Sequence, residues 1–217
     1  MTIENALKTF QEYYQAKNYT DARDLLEKHS SDIDPIIWHY NMGTTLAQLG
    51  LYAEARYHFL KAERKGLTTE KLIQSKSYVE SKLETEKWEK SLGLKDYLIS
   101  GTQVLADGPL ATFTLLIIGL FLIFFKRIKN TKSVYVWMTT IGLIIVLNYA
   151  IQRMPFKIMI TSTPLYEGPS KIFIPRSEIP AGVVVLTSGH ENWEKIIYPS
   201  RFEGWIIKTE ALRNLGD

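Results

Sequence analysis

Tyr19-Thr-Asp-Ala-Arg-Asp-Leu-Leu-Glu-Lys28 returns 33 residues later as Tyr52-Ala-Glu-Ala-Arg-Tyr-His-Phe-Leu-Lys61. Tyr, Ala22 and Ala55, Arg23 and Arg56, and the closing lysines coincide, while Leu26 aligns with Phe59. An echo of that length is the mark of a helix-turn-helix unit repeated in tandem. The residues before each copy agree. Leu7, Phe10 and Tyr14 fall at i, i+3 and i+7, and Ile36, Tyr40, Gly43 and Ala47 keep the same helical face. Asn18 and Gly50 stand where the first helix of each pair should stop. Two such units need a cover, because each buries its apolar face on a neighbour. Thr69 to Trp88 supplies one: Leu72, Ile73, Val79 and Leu83 hold helical spacing, which predicts a fifth helix with a solvated outer face. The helical domain so delimited is 1–90.

These residues resemble the tetratricopeptide repeat. In the second unit Gly43, Ala55, Phe59 and Ala62 fall on the family's Gly, Ala, Phe and Ala positions, with Met42 at its Leu, Leu46 at its Tyr and His39 at its Trp. In the first unit Tyr13, Ala22 and Leu26 match, and Phe10 replaces the close-packing Gly. The resemblance implies a concave peptide-binding face formed by the first helix of each unit, here Ile37, Tyr40, Thr44 and Gln48. The Lys/Asn clamp for a terminal carboxylate is missing at Tyr40 and Thr44. The plainer alternative is that these four pack against the neighbouring helix.

Beyond a juxtamembrane linker or interfacial helix at 91–108, two runs lack any charge: 109–125 and 133–152. At 1.5 Å per residue, runs of this size reach roughly 26 and 30 Å, about one hydrocarbon thickness, and predict a two-helix transmembrane hairpin. Between them lies a basic loop, 126–132, with Lys126, Arg127, Lys129 and Lys132. The positive-inside rule puts that loop in the cytoplasm, and two spans then put both flanking domains on the same, periplasmic side of a bacterial inner membrane. No basic start or apolar stretch follows Met1, so no secretory signal is visible.

From Phe156 the pattern shortens to β-rich runs: 156–160, 183–186, 193–198 and 204–207, with 188–192 and 199–202 as turns. That spacing predicts a small all-β barrel over 156–217. Leu165-Tyr-Glu-Gly-Pro-Ser170, Ile179-Pro-Ala-Gly182, Trp193-x-Lys195-Ile196 and Gly204-Trp205-Ile206 resemble, in order and spacing, the bacterial SH3 domain. Relatives bind cell-wall peptides or protein partners, or serve as spacers. The resemblance makes Tyr166, Trp193 and Tyr198 the candidate ligand surface, with Trp205 assigned to the barrel core.

The fold class expected is thus a multi-domain membrane protein: all-α tetratricopeptide-like repeats, a transmembrane hairpin, and an all-β SH3-like barrel. Catalysis finds no support. Cysteine is absent, which removes thiolate nucleophiles and cysteine metal sites. His29, His39, His58 and His190 share no metal-type spacing, although His39 and His58 can approach each other across the second unit. No Walker loop or G-x-G-x-x-G is present, so no catalytic residue, cofactor or metal is expected. A net charge of +3, with no basic stripe interleaved with aromatics, argues against nucleic acid.

Across the whole chain the domain order resembles the E-type proteins of the Bacteroides aerotolerance operons. That resemblance implies partners among von Willebrand A-type membrane proteins and a role as an envelope scaffold. A peptidoglycan-binding anchor held by the SH3-like domain is the alternative.

Overall fold

The computed structural model describes residues 3–85, 87, 95–100, 154–208 and 211–216. Five helices lead: α1 (Ile3–Gln15), α2 (Tyr19–Lys28), α3 (Pro35–Gln48), α4 (Tyr52–Arg64) and α5 (Glu70–Leu83). The sequence sets their ends. Asp34 accepts hydrogen bonds from the backbone of Ile36 and Ile37 at 2.9 and 3.2 Å, with Pro35 at the first helical position. Thr69 caps α5 through Leu72 N at 3.3 Å.

The turns inside the two pairs repeat as the sequence does. Asn18 N donates to Tyr13 O and Leu51 N to Leu46 O, both at 2.9 Å, while Lys17 N and Gly50 N reach Tyr14 O and Ala47 O. These are the paired bonds of a Schellman stop, and each needs a left-handed residue. Lys17 (φ 60°) and Gly50 (φ 78°) provide it.

Ala22, Leu26, Met42, Ala55, Phe59, Ala62, Leu72 and Val79 form one helical core. Gly43 is where α3 comes closest to α4, since a Cβ there would lie 2.7 Å from the Phe59 ring. Ile73, expected in that core, is 56% exposed, because it falls one residue off the face that carries Leu72 and Val79.

The β-domain holds seven short strands: β1 (Phe156–Met159), β2 (Thr163–Leu165), β3 (Ser177–Ile179), β4 (Val184–His190), β5 (Trp193–Tyr198), β6 (Gly204–Ile207) and β7 (Leu212–Asn214). Five form an antiparallel sheet in the order β6-β5-β4-β1-β7, and β2 pairs with β3. An isolated bridge between Tyr166 and Trp205 ties the two-stranded ribbon to β6, which rolls the sheet around Met159, Leu165, Val183, Val185, Ile196 and Ile206. The span 188–190, expected as a turn, continues β4, and the hairpin reverses at Glu191 in a left-handed conformation.

The outer face of this sheet does not stay bare. Leu60 of α4 packs among Phe156, Ile158, Val184, Tyr198 and Leu215. Around that apolar contact, the Arg56 guanidinium donates to Gly182 O at 2.5 Å and pairs with Glu80 at 3.1 Å. Lys61 Nζ donates to Gly216 O at 2.9 Å. Residues 95–100 are helical and also dock on the β-domain. Asp96, 2% exposed, accepts from Ser200 N at 3.0 Å and bonds the Ser200 hydroxyl, and Ile99 joins the cluster around Leu60.

The transmembrane hairpin is corrected here. Among the described residues no helix is long and apolar enough to cross a membrane. The longest, α3 and α5, have 14 residues, about 21 Å at 1.5 Å per residue against a hydrocarbon core of about 30 Å. The apolar runs 109–125 and 133–152 and the basic loop 126–132 lie outside the described residues. The fold class that stands is helical repeats joined to an antiparallel β-domain. The described residues therefore point against the membrane, transmembrane and two-pass inner-membrane assignments and the periplasmic placement drawn from them.

Candidate functional site

Helices α1, α3 and α5 turn one face each toward a shared groove of about 260 Å³. It is lined by Tyr14, Thr44, Ala47, Gln48, Gln74, Ser75 and Tyr78, none of which carries a charge. The period of 33 explains part of this: Tyr14 and Ala47 are equivalent positions in the two units. Thr44 Oγ1 donates to Asn41 O at 2.8 Å, so toward the groove it can act only as an acceptor.

Tyr14 sets the polarity of the groove. Burial, then the neighbouring Tyr19 phenol, push its hydroxyl above the ordinary tyrosine range, against side-chain hydrogen bonds with Gln48 and Thr44. It therefore stays a neutral donor. Its ring meets those of Phe10 and Tyr19 at 5.8 and 5.3 Å, which fixes the wall it forms. At the other wall the Tyr52 hydroxyl is held above its usual range by its hydrogen bond with Tyr78, whose ring lies 6.3 Å away.

Of the four residues expected on the concave face, Thr44 and Gln48 line this groove. Tyr40 is half-buried with its ring 6.2 Å from Phe59, and packs against the core. Ile37 lies near the start of α3, 45% exposed and outside the groove lining. Gln74, Ser75 and Tyr78 were expected on a solvated face of α5. Their signal was available: three uncharged residues at i, i+1 and i+4 in a helix otherwise rich in charge.

A second candidate surface lies on the β-domain. Tyr166 and Trp193 meet edge to face at 5.3 Å, and His190 and Trp205 at 5.7 Å, with Lys195 Nζ 6.0 Å from the Trp205 ring. Trp205 pairs across the strands with Lys195 and is half-buried on this outer face; Ile206 takes the core position expected of it.

Tyr198 does not join the patch. The register jumps from Thr187 opposite Ile196 to Leu186 opposite Tyr198, leaving Ile197 as a bulge. That extra residue carries Tyr198 to the end of the sheet covered by α4, where it is 4% exposed and meets the Phe156 ring at 6.5 Å. Among the described residues, no group of three or more His, Cys, Asp or Glu side chains is placed to hold a metal ion. No family model, curated protein or solved structure matches this chain.

Proposed function

We propose that this protein is a non-catalytic interaction scaffold whose helical groove holds an uncharged peptide segment of a partner protein. The observation that carries this reading is the groove lining of phenols, amides and hydroxyls without a charge. An extended peptide brings backbone donors and acceptors that must be paired when desolvated, and such side chains pair them without the cost of burying an ion. Tyrosine walls add contact area at low entropic cost.

The aromatic face around Tyr166 and Trp193 offers a second contact. Because α4 is packed on β1, both contacts belong to one body, which raises the effective concentration of the second once the first is made. Following the aerotolerance-protein resemblance, von Willebrand A-type proteins are the partner class we propose to test first.

A photo-crosslinking residue at Gln48 or Tyr78 of the full chain tests this directly. A defined partner protein should be captured from both positions, and Ser75→Arg should abolish capture. Capture that survives Ser75→Arg, or no capture from either position, rejects the groove.

The cluster of half-buried Tyr166, Trp193 and Trp205 with exposed His190 favours a second reading, a cell-wall anchor acting through the β-domain. Co-sedimentation of the full chain with purified peptidoglycan, lost on Trp193→Ala but kept with Ser75→Arg, would support it. Absence of co-sedimentation removes it.

A further inference from the structure

On the other flank of α3 lies a larger cavity, of about 430 Å³, that neither surface described above uses. Trp38 and Tyr57 wall it, His39 and His58 lie between them, and Arg213 reaches in from β7. Helices α2, α3 and α4 and the turn at Leu51 supply its lining, and β7 adds Arg213 at the rim. Its size falls in the range of small-molecule sites, and its make-up matches theirs: an aromatic floor with a few convergent polar groups.

Three observations define what would fit. First, the interior is flat-sided and aromatic. Trp38 meets the His39 and His58 rings at 4.8 and 5.1 Å, and Tyr57 meets His58 at 5.1 Å. The histidines add ring surface more than charge. Their Nδ1 atoms are 3.0 Å apart, so one must donate and the other accept. Burial first, then His39, Arg213 and Lys61, hold His58 far below its ordinary range, at about 3, so it stays neutral.

Second, the two arginines at the rim differ. Arg23 is committed to Asp24 at 2.7 Å and Glu27 at 3.8 Å. Arg213 is exposed, lies 5.6 Å over the Tyr57 ring, and makes no ion pair among the described residues. A guanidinium stacked on a ring keeps its planar fork of donors free for a carboxylate. Third, the opposite rim holds Glu27 and Glu54, which repel a carboxylate from that end.

We propose that this cavity binds a small carboxylate with a flat apolar body, its ring laid against the aromatic surface of Trp38, His39, His58 and Tyr57 and its carboxylate on Arg213. The ligand bridges the helical repeats and β7, so its binding also fastens the β-domain to α4.

Calorimetry and thermal melting of the full chain with 2-naphthoate test it, beside the neutral 2-naphthamide and the cationic 2-naphthylmethylamine. The carboxylate should bind and raise Tm, with the amide at least tenfold weaker and the amine weaker still. Arg213→Gln should lose at least tenfold in affinity for the carboxylate. Arg213→Lys, which keeps the charge but not the fork, should fall between the two, and Lys171→Gln, which removes an equal charge from an exposed loop, should change nothing. Naphthoate that fails to bind the folded protein, amide or amine binding as tightly as the acid, or full affinity in Arg213→Gln would each overturn the site. Should a variant fold poorly, the three probes on the unaltered protein decide the matter alone.

Discussion

Arg23 and Arg56 hold the same place in the two repeat units, yet one is a surface residue and the other is buried. Arg23 lies on α2, partly exposed, paired with its chain neighbour Asp24. Arg56 is 4% exposed, held between Glu80 of α5 and the Gly182 carbonyl of the β-domain. Lys28 and Lys61 repeat the contrast, one exposed and the other reaching Gly216 O. On α2 only Ala22 and Leu26 are buried, whereas α4 buries both its core face and the face that carries Leu60. The repeat pattern therefore states which face meets the neighbouring helices. What covers the remaining face is decided by elements a hundred residues away.

The most severe break of the pairing comes from Ala55→Arg. Ala55 is fully buried in the helical core, and a long cation there is both overpacked and desolvated. Loss of more than about 4 kcal/mol is expected in chemical denaturation; a change under about 0.5 kcal/mol would mean the repeat register is wrong.

Next in size is the arginine pair itself. Arg56→Ala strips a donor from the buried Gly182 carbonyl and an ion-pair partner from Glu80, and should cost about 3 kcal/mol. Arg23→Ala should stay within about 0.5 kcal/mol, as exposed pairs do. Equal losses in parallel denaturation curves would erase the distinction drawn here.

The histidine pair gives the second unit a pH response that the first lacks, since Ala6 and Leu25 stand at the equivalent positions. His58 is held at about 3 when folded, below its unfolded value near 6.5. Between those values the unfolded chain binds the extra proton. Its contribution is complete above about pH 6.5 and drains as the pH falls toward 3, by about 1.4 kcal/mol per unit at most. About 2 kcal/mol should be lost between pH 6.5 and 5, and His58→Leu, which imports the residue of the first unit, should flatten that slope. An unchanged slope in the variant would assign the response to other groups.

Smallest is an exchange at the turn. Lys17 bears a left-handed conformation that disfavours a side chain, while Gly50 has nothing within 4 Å of where a Cβ would stand. Lys17→Gly should gain about 1 kcal/mol and Gly50→Lys lose about as much. Opposite signs would show that local contacts, not backbone strain, govern these turns.

The helices and their register were legible because period and repeat agree, and the stop residues mark each end. Four strands were legible by alternation. The strands β2, β3 and β7 were not: each has three residues, with Pro164 in the first and charges in the other two, too little for a period-two pattern. Alternation puts Tyr198, five residues on, on the face opposite Trp193, and nothing local marks the bulge at Ile197 that returns it to the outer face beneath α4. The α5 side of the groove was missed because the uncharged run of Gln74, Ser75 and Tyr78 gains a meaning only when α5 is folded against α3. The cavity between Trp38 and Arg213 joins positions far apart in the chain, and only His39 and His58 hinted at it.

Two hydrogen bonds from α4 to the β-domain, those of Arg56 and Lys61, end on main-chain carbonyls, at Gly182 and Gly216. A carbonyl is supplied by any residue, so the positions facing Arg56 and Lys61 can drift without a matching change on α4. Relatives compared side by side would then show no substitutions correlated with Arg56 or Lys61 at the residues that face them. Gly182 is the exception, since its left-handed backbone (φ 87°) disfavours any side chain, and a Cβ there would also press on Leu83 at 2.6 Å. Invariance at that one glycine, beside free variation around it, is the trace this junction would leave in evolution.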